Sequence, residues 1–508
     1  DALQALATAV PAGDFMDHIE FMRSCISSTA SAARHRVGPH QLQLTNGELI
    51  LPLFTLPKSL DPLYTILLHG LMNGSVTVRE IAAEAIGDLA NFAEVSVLKP
   101  LLIKTTGPLI RVVGDRFPSS VKAAILQTLC VLLDKGGASL KAFVPQLQTT
   151  FVKALNDPSR EVRTRGASAL GRLMPLSVRV DPLLTELTAL VLKAESTAIK
   201  ISVLDAIGTV MSMGGTKATA AALESTKSAL LKALMEEDES IRASAASSLS
   251  KLVWFLEPAA VMDAALDLVE AKSSGGAEHW TQLCGRLQGL GAVLQGASQQ
   301  ILDVREEAFI ALLQGCRDER ATVNAAAVSA LVMMLTIPTV GKSVNSSSSA
   351  LAAVVDARRA DLRSAGQATV HAFANALSSL ALSGGSSEIK TKAMLAIKQA
   401  SKFFFGAAAQ HYKEFLPPLV ASLKEIDLRV KYSAERALKH LCEGITTAEA
   451  ASGVAPGQSA LLTQYLTGLS SGTSNASAAE KEAAVVVRDF MRRVMPGLPA
   501  ESDNEGDN

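Results

Sequence analysis

One short pattern of apolar and basic positions recurs along the chain. A β-branched residue, usually followed by a basic one, is separated by eight positions from a Leu or Ile, with small or apolar side chains at helical spacing between them. The pattern begins at Val78, Val121, Val162, Ile199, Ile241, Gln282 (where it is degenerate), Val323, Ile389 and Val430. Successive starts lie 43, 41, 37, 42, 41, 41, 66 and 41 residues apart. The chain is therefore a repeat with a period of about 40 residues.

Each repeat divides into two predicted helices. Ahead of the pattern at Val162, an apolar helix is predicted over Pro145 to Asp157, and an Asp-Pro-Ser turn ends it and starts the next helix. Small residues such as Ala167 and Ala246 lie where the second helix must approach a neighbour within about 8–10 Å. This arrangement is typical of HEAT and armadillo repeats. The sequence predicts an all-α fold, an α-α superhelix in which about nine or ten antiparallel helix pairs form a right-handed HEAT-repeat solenoid.

The repeat pattern also gives the expected domain organisation. Residues 57–442 are predicted to form the solenoid, and the 66-residue step predicts an insertion at about 337–362, which contains the Ser-rich segment Gly341 to Ala350. Residues 1–56 are predicted to be a helix, about Asp14 to Arg34, and a linker. We expect capping helices over 443–497 and an acidic, disordered tail over 498–508. Because the chain begins at Asp1 without a Met, we expect it to be a fragment of a longer protein.

Composition narrows the class of protein. The chain is 48% hydrophobic but only 4% aromatic, so the helices are expected to pack through Ala, Leu, Val and Ile. A net charge of −1 gives no basic footprint for DNA or an anionic membrane, and no apolar run approaches about 18 uninterrupted residues. The five cysteines lie far apart without a Cys-x-x-Cys pair. We expect reduced thiols in a cytoplasmic protein that binds neither DNA nor membranes.

Motifs for catalysis or cofactor binding are missing from the sequence. The eight histidines form no His-Glu-x-x-His motif, and no Gly-x-Ser-x-Gly elbow occurs. The segment that starts at Gly214, GGTKATAAALESTKS, lacks the Gly-x-x-x-x-Gly-Lys spacing of a phosphate loop. We therefore predict a protein that is not an enzyme and needs no metal or other cofactor.

Basic residues offer the clearest binding candidates. Those in second position of the pattern recur at one structural position, and we expect them to pair with Asp or Glu of adjacent turns: Arg79, Lys122, Arg163, Lys200, Arg242 and Lys431. The segment GPLIRVVGDRF, from Gly107 to Phe117, instead places Arg111 and Arg116 around a Gly-Asp break at a helix end. An exposed Arg beside a turn is a good contact for an acidic partner.

Several segments carry a resemblance to a known family. GPLIRVVGDRF, LKAFVPQLQTTFVKALND from Leu140, VRTRGASALGRL from Val162 and RVDPLLTEL from Arg179 resemble the carboxy-terminal region of the general-control translational activator. That family is the HEAT-repeat scaffold that activates the kinase of translation initiation factor two. The resemblance is dense over about Leu51 to Leu190 and continues at repeat level to about Leu441.

The resemblance implies a function and a site. The family is cytoplasmic, associates with ribosomes and polysomes, and binds the RWD domain at the amino terminus of the kinase during amino-acid starvation. It implies that Arg111, the Arg of GPLIR, is the partner contact, and Asp115 and Arg116 are added because they lie beside it. The Ser-rich insertion and the acidic tail match no family pattern.

Two alternatives stay open from the sequence. A karyopherin or a phosphatase scaffold is built from the same kind of repeat, although the acidic inner run expected of such scaffolds does not occur within these repeats. An enzyme would need a constellation of catalytic residues that the sequence does not show.

Overall fold

A computed structural model describes residues 10–36, 60–114, 117–270, 280–296, 302–335, 375–378, 380, 382, 386–403, 412–423 and 425–451. In this part of the chain every regular element is helical, which confirms the predicted all-α fold. The predicted linker from Gly38 to Pro57, the Ser-rich insertion and the acidic tail lie outside the described residues, as does the predicted last helix from Ala478 to Val494.

The chain divides into two compact units, Asp1–Ala229 and Leu230–Asn508, with the boundary inside one helix. The first unit contains a 3₁₀ helix at Ala12–His18 and then a series of α-helices. They are α1 (Ile19–Arg36), α2 (Asp61–Asn73), α3 (Val76–Phe92), α4 (Val95–Val112), α5 (Ser119–Gly136), α6 (Val144–Ala154), α7 (Arg160–Leu173), α8 (Asp181–Lys193), α9 (Thr197–Gly214) and the start of α10 (Ala220–Leu234).

The second unit continues the series of helices. It holds α11 (Glu239–Leu252), α12 (Pro258–Glu270), α13 (Trp280–Gly296), α14 (Leu302–Gly315), α15 (Ala321–Leu335), α16 (Ser387–Phe403), α17 (Tyr412–Leu423) and α18 (Leu428–Ala451). Helix α18 runs without a break through residue 442, where the sequence predicts the solenoid to end and the capping helices to begin.

Helices pack as the repeat predicts. In the first unit α2 packs on α3, α4 on α5, α6 on α7 and α8 on α9, and the second helices of successive pairs pack on one another in the order α3, α5, α7, α9. Helix α1 packs on α3 as the second helices do, and Arg23 of α1 bonds Glu84 and Asp88 of α3. In the second unit the order of second helices is α11, α13, α15, α16 and α18.

The recurring pattern marks the first buried turn of most second helices, although its first residue is half-buried at Val78 and Ile199 and exposed at Gln282. Val121, Val162, Ile241, Val323 and Val430 are all at most 3% exposed. The residues that follow at helical spacing are small, and the second helices approach one another closely at glycines and alanines.

Two equivalent contacts show how close this approach is. Thr128 of α5 donates its hydroxyl to the carbonyl of Ala83 at 2.6 Å, and Thr209 of α9 donates to the carbonyl of Ala167 at 2.8 Å. Four residues beyond each acceptor is a glycine, where a Cβ atom would meet that same threonine. In the second unit, a Cβ on Gly291 of α13 would lie 2.6 Å from both the Cα and the carbonyl oxygen of Ala330 in α15. Glycine is therefore required at these three contacts between second helices.

Two apolar stretches, Ser119–Ala154 and Thr197–Lys217, are long and apolar enough to cross a membrane by length and composition alone. In the apolar windows of these stretches, 61% and 56% of the residues are buried inside the protein. Their apolar character is accounted for by packing between neighbouring repeats.

Replacing Gly291 with Ala is predicted to destabilise the protein by about 1–3 kcal/mol, because the added methyl group forces two helix backbones apart. This loss outweighs the gain of about 1 kcal/mol that Ala brings to a helix interior. Urea unfolding followed by circular dichroism measures the change. Gln282→Ala, at an exposed position of the same helix, is the matched control and should change stability by less than about 0.5 kcal/mol. A Gly291→Ala protein as stable as the parent would contradict the close packing.

Candidate partner-binding edge

The candidate site lies among the turns that join the first helix of each pair to the second, here called the intra-pair turns. In the first unit these are the connections between α2 and α3, α4 and α5, α6 and α7, and α8 and α9. Because the helices of a pair are antiparallel and the second helices stack side by side, these turns share one edge of the unit. We call it the intra-pair edge.

Arg111 lies in the last turn of α4, on this edge. Its neighbours Leu109 and Val112 are 0% and 3% exposed and fix the helix end against the core, whereas Arg111 lies on the solvent side. The backbone turns away after it, with the amide of Gly114 donating to the Arg111 carbonyl at 3.4 Å. The Arg111 side chain makes no hydrogen bond or ion pair with any residue that the structure describes. Within the described part of the chain, its guanidinium is therefore exposed and has no internal acceptor.

Helix α4 is unusual in containing Pro100 and Pro108. A proline inside a helix removes one backbone donor and crowds the carbonyl four residues earlier. Thr105 and Thr106 in this stretch each donate a side-chain hydroxyl at 2.7 Å to the carbonyl four residues before them, Leu101 and Leu102. The helix nevertheless continues to Val112. Arg111 therefore lies in the last turn of a helix that its two prolines would be expected to shorten.

The other two predicted contacts, Asp115 and Arg116, lie outside the described residues, so their roles stay predictions. The next residue, Phe117, is half-buried. The guanidinium carbon of Arg79 lies 4.6 Å from the centre of its ring, and Arg79 also donates to the carbonyl of Leu71 at 2.5 Å. This contact ties the turn after α4 to the preceding intra-pair turn.

Most basic residues in second position of the pattern are used inside the protein. The prediction that they pair with acidic side chains needs correction for the arginines. Arg163 donates to the carbonyls of Asp157 and Pro158 at 2.9 and 2.7 Å, and Arg242 donates to those of Glu236 and Glu237 at 2.9 and 2.6 Å. These carbonyls lie just beyond the end of the first helix of the same pair. A guanidinium there satisfies acceptors that a helix end leaves without amide partners.

Of the lysines at the same position, Lys122 behaves as predicted, whereas Lys431 has no ion pair with a described residue. Lys122 pairs with Asp157 at 2.9 Å, and Lys390 in the second unit pairs with Glu425. In both cases the acid lies 35 residues further on, in the intra-pair turn of the next repeat. The lysine ammonium group thus bridges two repeats, whereas the planar arginine guanidinium binds two neighbouring carbonyls within one repeat.

Sequence reasoning missed Arg160, the first residue of α7. It is exposed and makes no hydrogen bond or ion pair within the described part of the chain. A cation at a helix amino terminus opposes the helix dipole, so Arg160 does not serve the stability of α7. That unfavourable placement, visible in the Asp-Pro-Ser-Arg turn, is the signal that could have identified it. Arg111 and Arg160 thus lie on neighbouring intra-pair turns of one edge.

Comparison with known proteins agrees with this architecture. Residues 181–357 match the family described as stalled ribosome sensor GCN1-like, HEAT repeats. The stalled ribosome sensor GCN1 of Homo sapiens is 37% identical over 257 residues, and the eIF-2-alpha kinase activator GCN1 of Dictyostelium discoideum is 47% identical over 146 residues. The chain is a GCN1-like HEAT-repeat region.

This GCN1-like chain is much shorter than its relatives. Protein ILITYHIA of Arabidopsis thaliana is 32% identical over 479 residues, which are 92% of this chain but 16% of that protein. The human and Dictyostelium matches cover 50% and 29% of this chain, and 9% and 6% of those proteins. The chain therefore corresponds to a small part of the length of each relative.

Among solved structures, yeast importin-beta (Kap95p) is 14% identical, with a TM-score of 0.46 over 87% of this chain and 57% of that one. A similarity of this size does not support the karyopherin alternative.

The described part of the GCN1-like chain offers little for catalysis. No group of three His, Cys, Asp or Glu side chains among the described residues could hold a metal ion. Burial raises the pKa of the Cys130 and Cys316 thiols to about 12, so neither is a thiolate near neutral pH. The intra-pair edge presents two exposed guanidinium groups, those of Arg111 and Arg160.

Removing Arg111 is predicted to leave stability unchanged within about 0.5 kcal/mol, because its side chain has no described partner to lose. Arg163→Ala should instead cost about 2–3 kcal/mol, since Arg163 is 6% exposed and also bonds the Ser202 hydroxyl at 3.0 Å. Urea unfolding of Arg111→Ala and Arg163→Ala gives both values. Equal losses in the two variants would show that Arg111 is a structural residue.

Proposed function

We propose that this chain is a non-catalytic scaffold region that binds the RWD domain of the initiation-factor-two-alpha kinase through the intra-pair edge around Arg111. The observation that supports the proposal most directly is the exposed Arg111 guanidinium on the edge of a GCN1-like region. One relative is named eIF-2-alpha kinase activator and another stalled ribosome sensor, which fits a scaffold that joins a kinase to ribosomes.

The chemistry of the edge favours a folded partner with an acidic surface. Arg111 presents a planar group that can bond one carboxylate through two parallel N–H donors. Arg160 adds a second cation on the neighbouring turn, while Lys122 and Asp157 neutralise each other between them. Asp115 and Arg116 complete the proposed contact set. An arginine of this kind, when buried by a partner, is commonly worth about 2 kcal/mol or more.

The solenoid itself supplies rigidity. The second helices of the first unit contact one another at glycine and threonine positions, so the intra-pair turns are held at fixed spacing. A partner that spans two turns meets Arg111 and Arg160 in a defined arrangement. We further propose that the whole protein acts in the cytoplasm, associates with ribosomes and polysomes, and promotes kinase activation during amino-acid starvation and translational stress.

Arg111→Glu is predicted to weaken binding of the isolated RWD domain by roughly 30-fold or more, because a carboxylate would oppose the acidic partner. Titration calorimetry with the 508-residue chain measures the affinity. Arg160→Glu should weaken binding by a smaller factor. Arg179→Glu is the matched control, because Arg179 is exposed on the opposite edge, between α7 and α8, and should leave the affinity unchanged.

Unchanged binding by a folded Arg111→Glu protein would move the site elsewhere. No binding by the parent chain would remove the proposed partner altogether.

In the full-length protein, the same Arg111→Glu change is predicted to separate the two proposed activities. Sedimentation through a sucrose gradient should find the variant with ribosomes as often as the parent, since the edge is assigned to the kinase. Phosphorylation of the initiation factor during amino-acid starvation should fail. Loss of ribosome association in the variant would show that the edge binds the ribosome instead.

A further inference from the structure

The intra-pair turn of the last described pair exposes large apolar side chains. Ile426 in the turn between α17 and α18 is 97% exposed, and Leu428 and Tyr432 in the first turns of α18 are 65% and 64% exposed. Leu428 and Tyr432 are four residues apart, so they lie on the same face of the helix. Three large exposed apolar side chains within residues 426–432 make an apolar patch, which a soluble surface normally avoids.

The other repeats do not carry this patch. The residue two positions before the pattern, equivalent to Leu428, is Val76, Ser119, Arg160, Thr197, Glu239, Trp280, Ala321 or Ser387 in the eight other repeats, all of them described. Only Val76 and Trp280 are large and apolar. Four residues beyond them are the polar Glu80 and the buried Cys284. Exposed apolar side chains at both positions thus occur in one repeat of the nine.

Packing of the repeat does not need the patch. The buried face of α18 is formed by Val430, Ala434, Ala437, Leu438 and Leu441, each at most 1% exposed, and it packs against α16 and α17. Leu428 and Tyr432 lie off that face. Polar residues occupy both positions in two other repeats, as Arg160 with Thr164 and as Ser387 with Thr391, so a structural role would be met without Leu or Tyr.

The charges around the patch are mostly basic. Lys431 and Arg436 are exposed, and Arg436 continues the row of Leu428 and Tyr432 by four more residues. Neither makes a hydrogen bond or an ion pair with a described residue. Arg429 is held by Asp427, with Nη2 to Oδ2 at 3.1 Å, and Glu435 is half-buried beside the row. The two exposed cations, Lys431 and Arg436, therefore outnumber the one half-buried carboxylate, and the face has a net positive charge.

We propose that this patch, formed by Ile426, Leu428 and Tyr432 with Lys431 and Arg436, docks an acidic amphipathic segment of a partner protein. Two apolar side chains one helical turn apart on the partner would cover Leu428 and Tyr432, and carboxylates beside them would meet Lys431 and Arg436. Charge complementarity selects an acidic partner over a neutral or basic one. Tyr and Arg are also the residue types that contribute most at protein interfaces. The patch lies in the second unit and does not depend on the proposed function of Arg111.

A designed helical peptide tests the proposal. It has about 16 residues, is rich in Glu, carries two Leu four positions apart and bears a fluorophore for anisotropy. We expect it to bind the full 508-residue chain with a micromolar dissociation constant. The double variant Leu428→Ser/Tyr432→Thr, which places the residues of other repeats at these positions, should weaken binding by at least about tenfold. Lys431→Glu/Arg436→Glu should do the same.

One control variant, two control peptides and a test of folding make the outcome decisive. Val76→Ser changes the equivalent exposed position of the first repeat and should leave binding unchanged. A peptide with Lys in place of Glu, or with Ala in place of both Leu, should bind at least about tenfold more weakly. Circular dichroism should show the same helical content in every variant, since all the substituted side chains are exposed.

Several results would overturn the proposal. They are no binding at about 1 mM peptide, equal binding by the double variant, and equal binding of the Lys-rich peptide. Sedimentation velocity tests whether a second copy of this chain occupies the patch instead. A dimer of the parent chain that Leu428→Ser/Tyr432→Thr abolishes would assign the patch to a second copy of this chain and reject the acidic partner.

Discussion

The close approach of successive second helices is the constraint on which the rest of the structure depends. Thr128 and Thr209 bond carbonyls of the preceding second helix, and glycine is required four residues beyond each acceptor. A neighbour at this distance leaves no room for bulky side chains, which explains a core of Ala, Leu, Val and Ile with few aromatics. It also removes the faces between repeats from contact with partners. Recognition is left to the edges and to the outer surfaces of the helices.

The groups that the basic residues bind follow from this arrangement. Arg79, Arg163 and Arg242 each reach carbonyls at or just beyond the end of the first helix of their own pair, and Lys122 and Lys390 reach acids of the next repeat. Cations that hold the turns in place are poor candidates for binding, because a partner would have to displace their internal acceptors. Arg111 and Arg160 differ because the described structure gives them no such acceptors. A near-neutral chain can therefore still present a locally basic edge.

The fold could be predicted from the sequence because the repeats share one spacing of apolar and small residues. The β-branched residue that opens the pattern is buried in six of the repeats and half-buried in two, at Val78 and Ile199, and the small residues after it meet the next helix. Side-chain partners were harder to predict. Whether an arginine bonds a carboxylate or a carbonyl depends on where the preceding helix ends, and this depends on the turn rather than on the pattern. Helix α1 lacks the pattern yet packs as a second helix, and α4 continues through two prolines. The position of Arg111 was predictable, whereas only the structure shows that it has no partner among the described residues.

Hydrogen exchange of the whole chain, with and without the kinase's RWD domain, tests the central claim most directly. The account predicts slower exchange on binding at residues 107–114 and 155–163, which belong to neighbouring intra-pair turns, and no change at 174–180, which join α7 to α8 on the opposite edge. Protection at 174–180 without protection at the intra-pair turns would contradict the assignment of partner binding to the intra-pair edge.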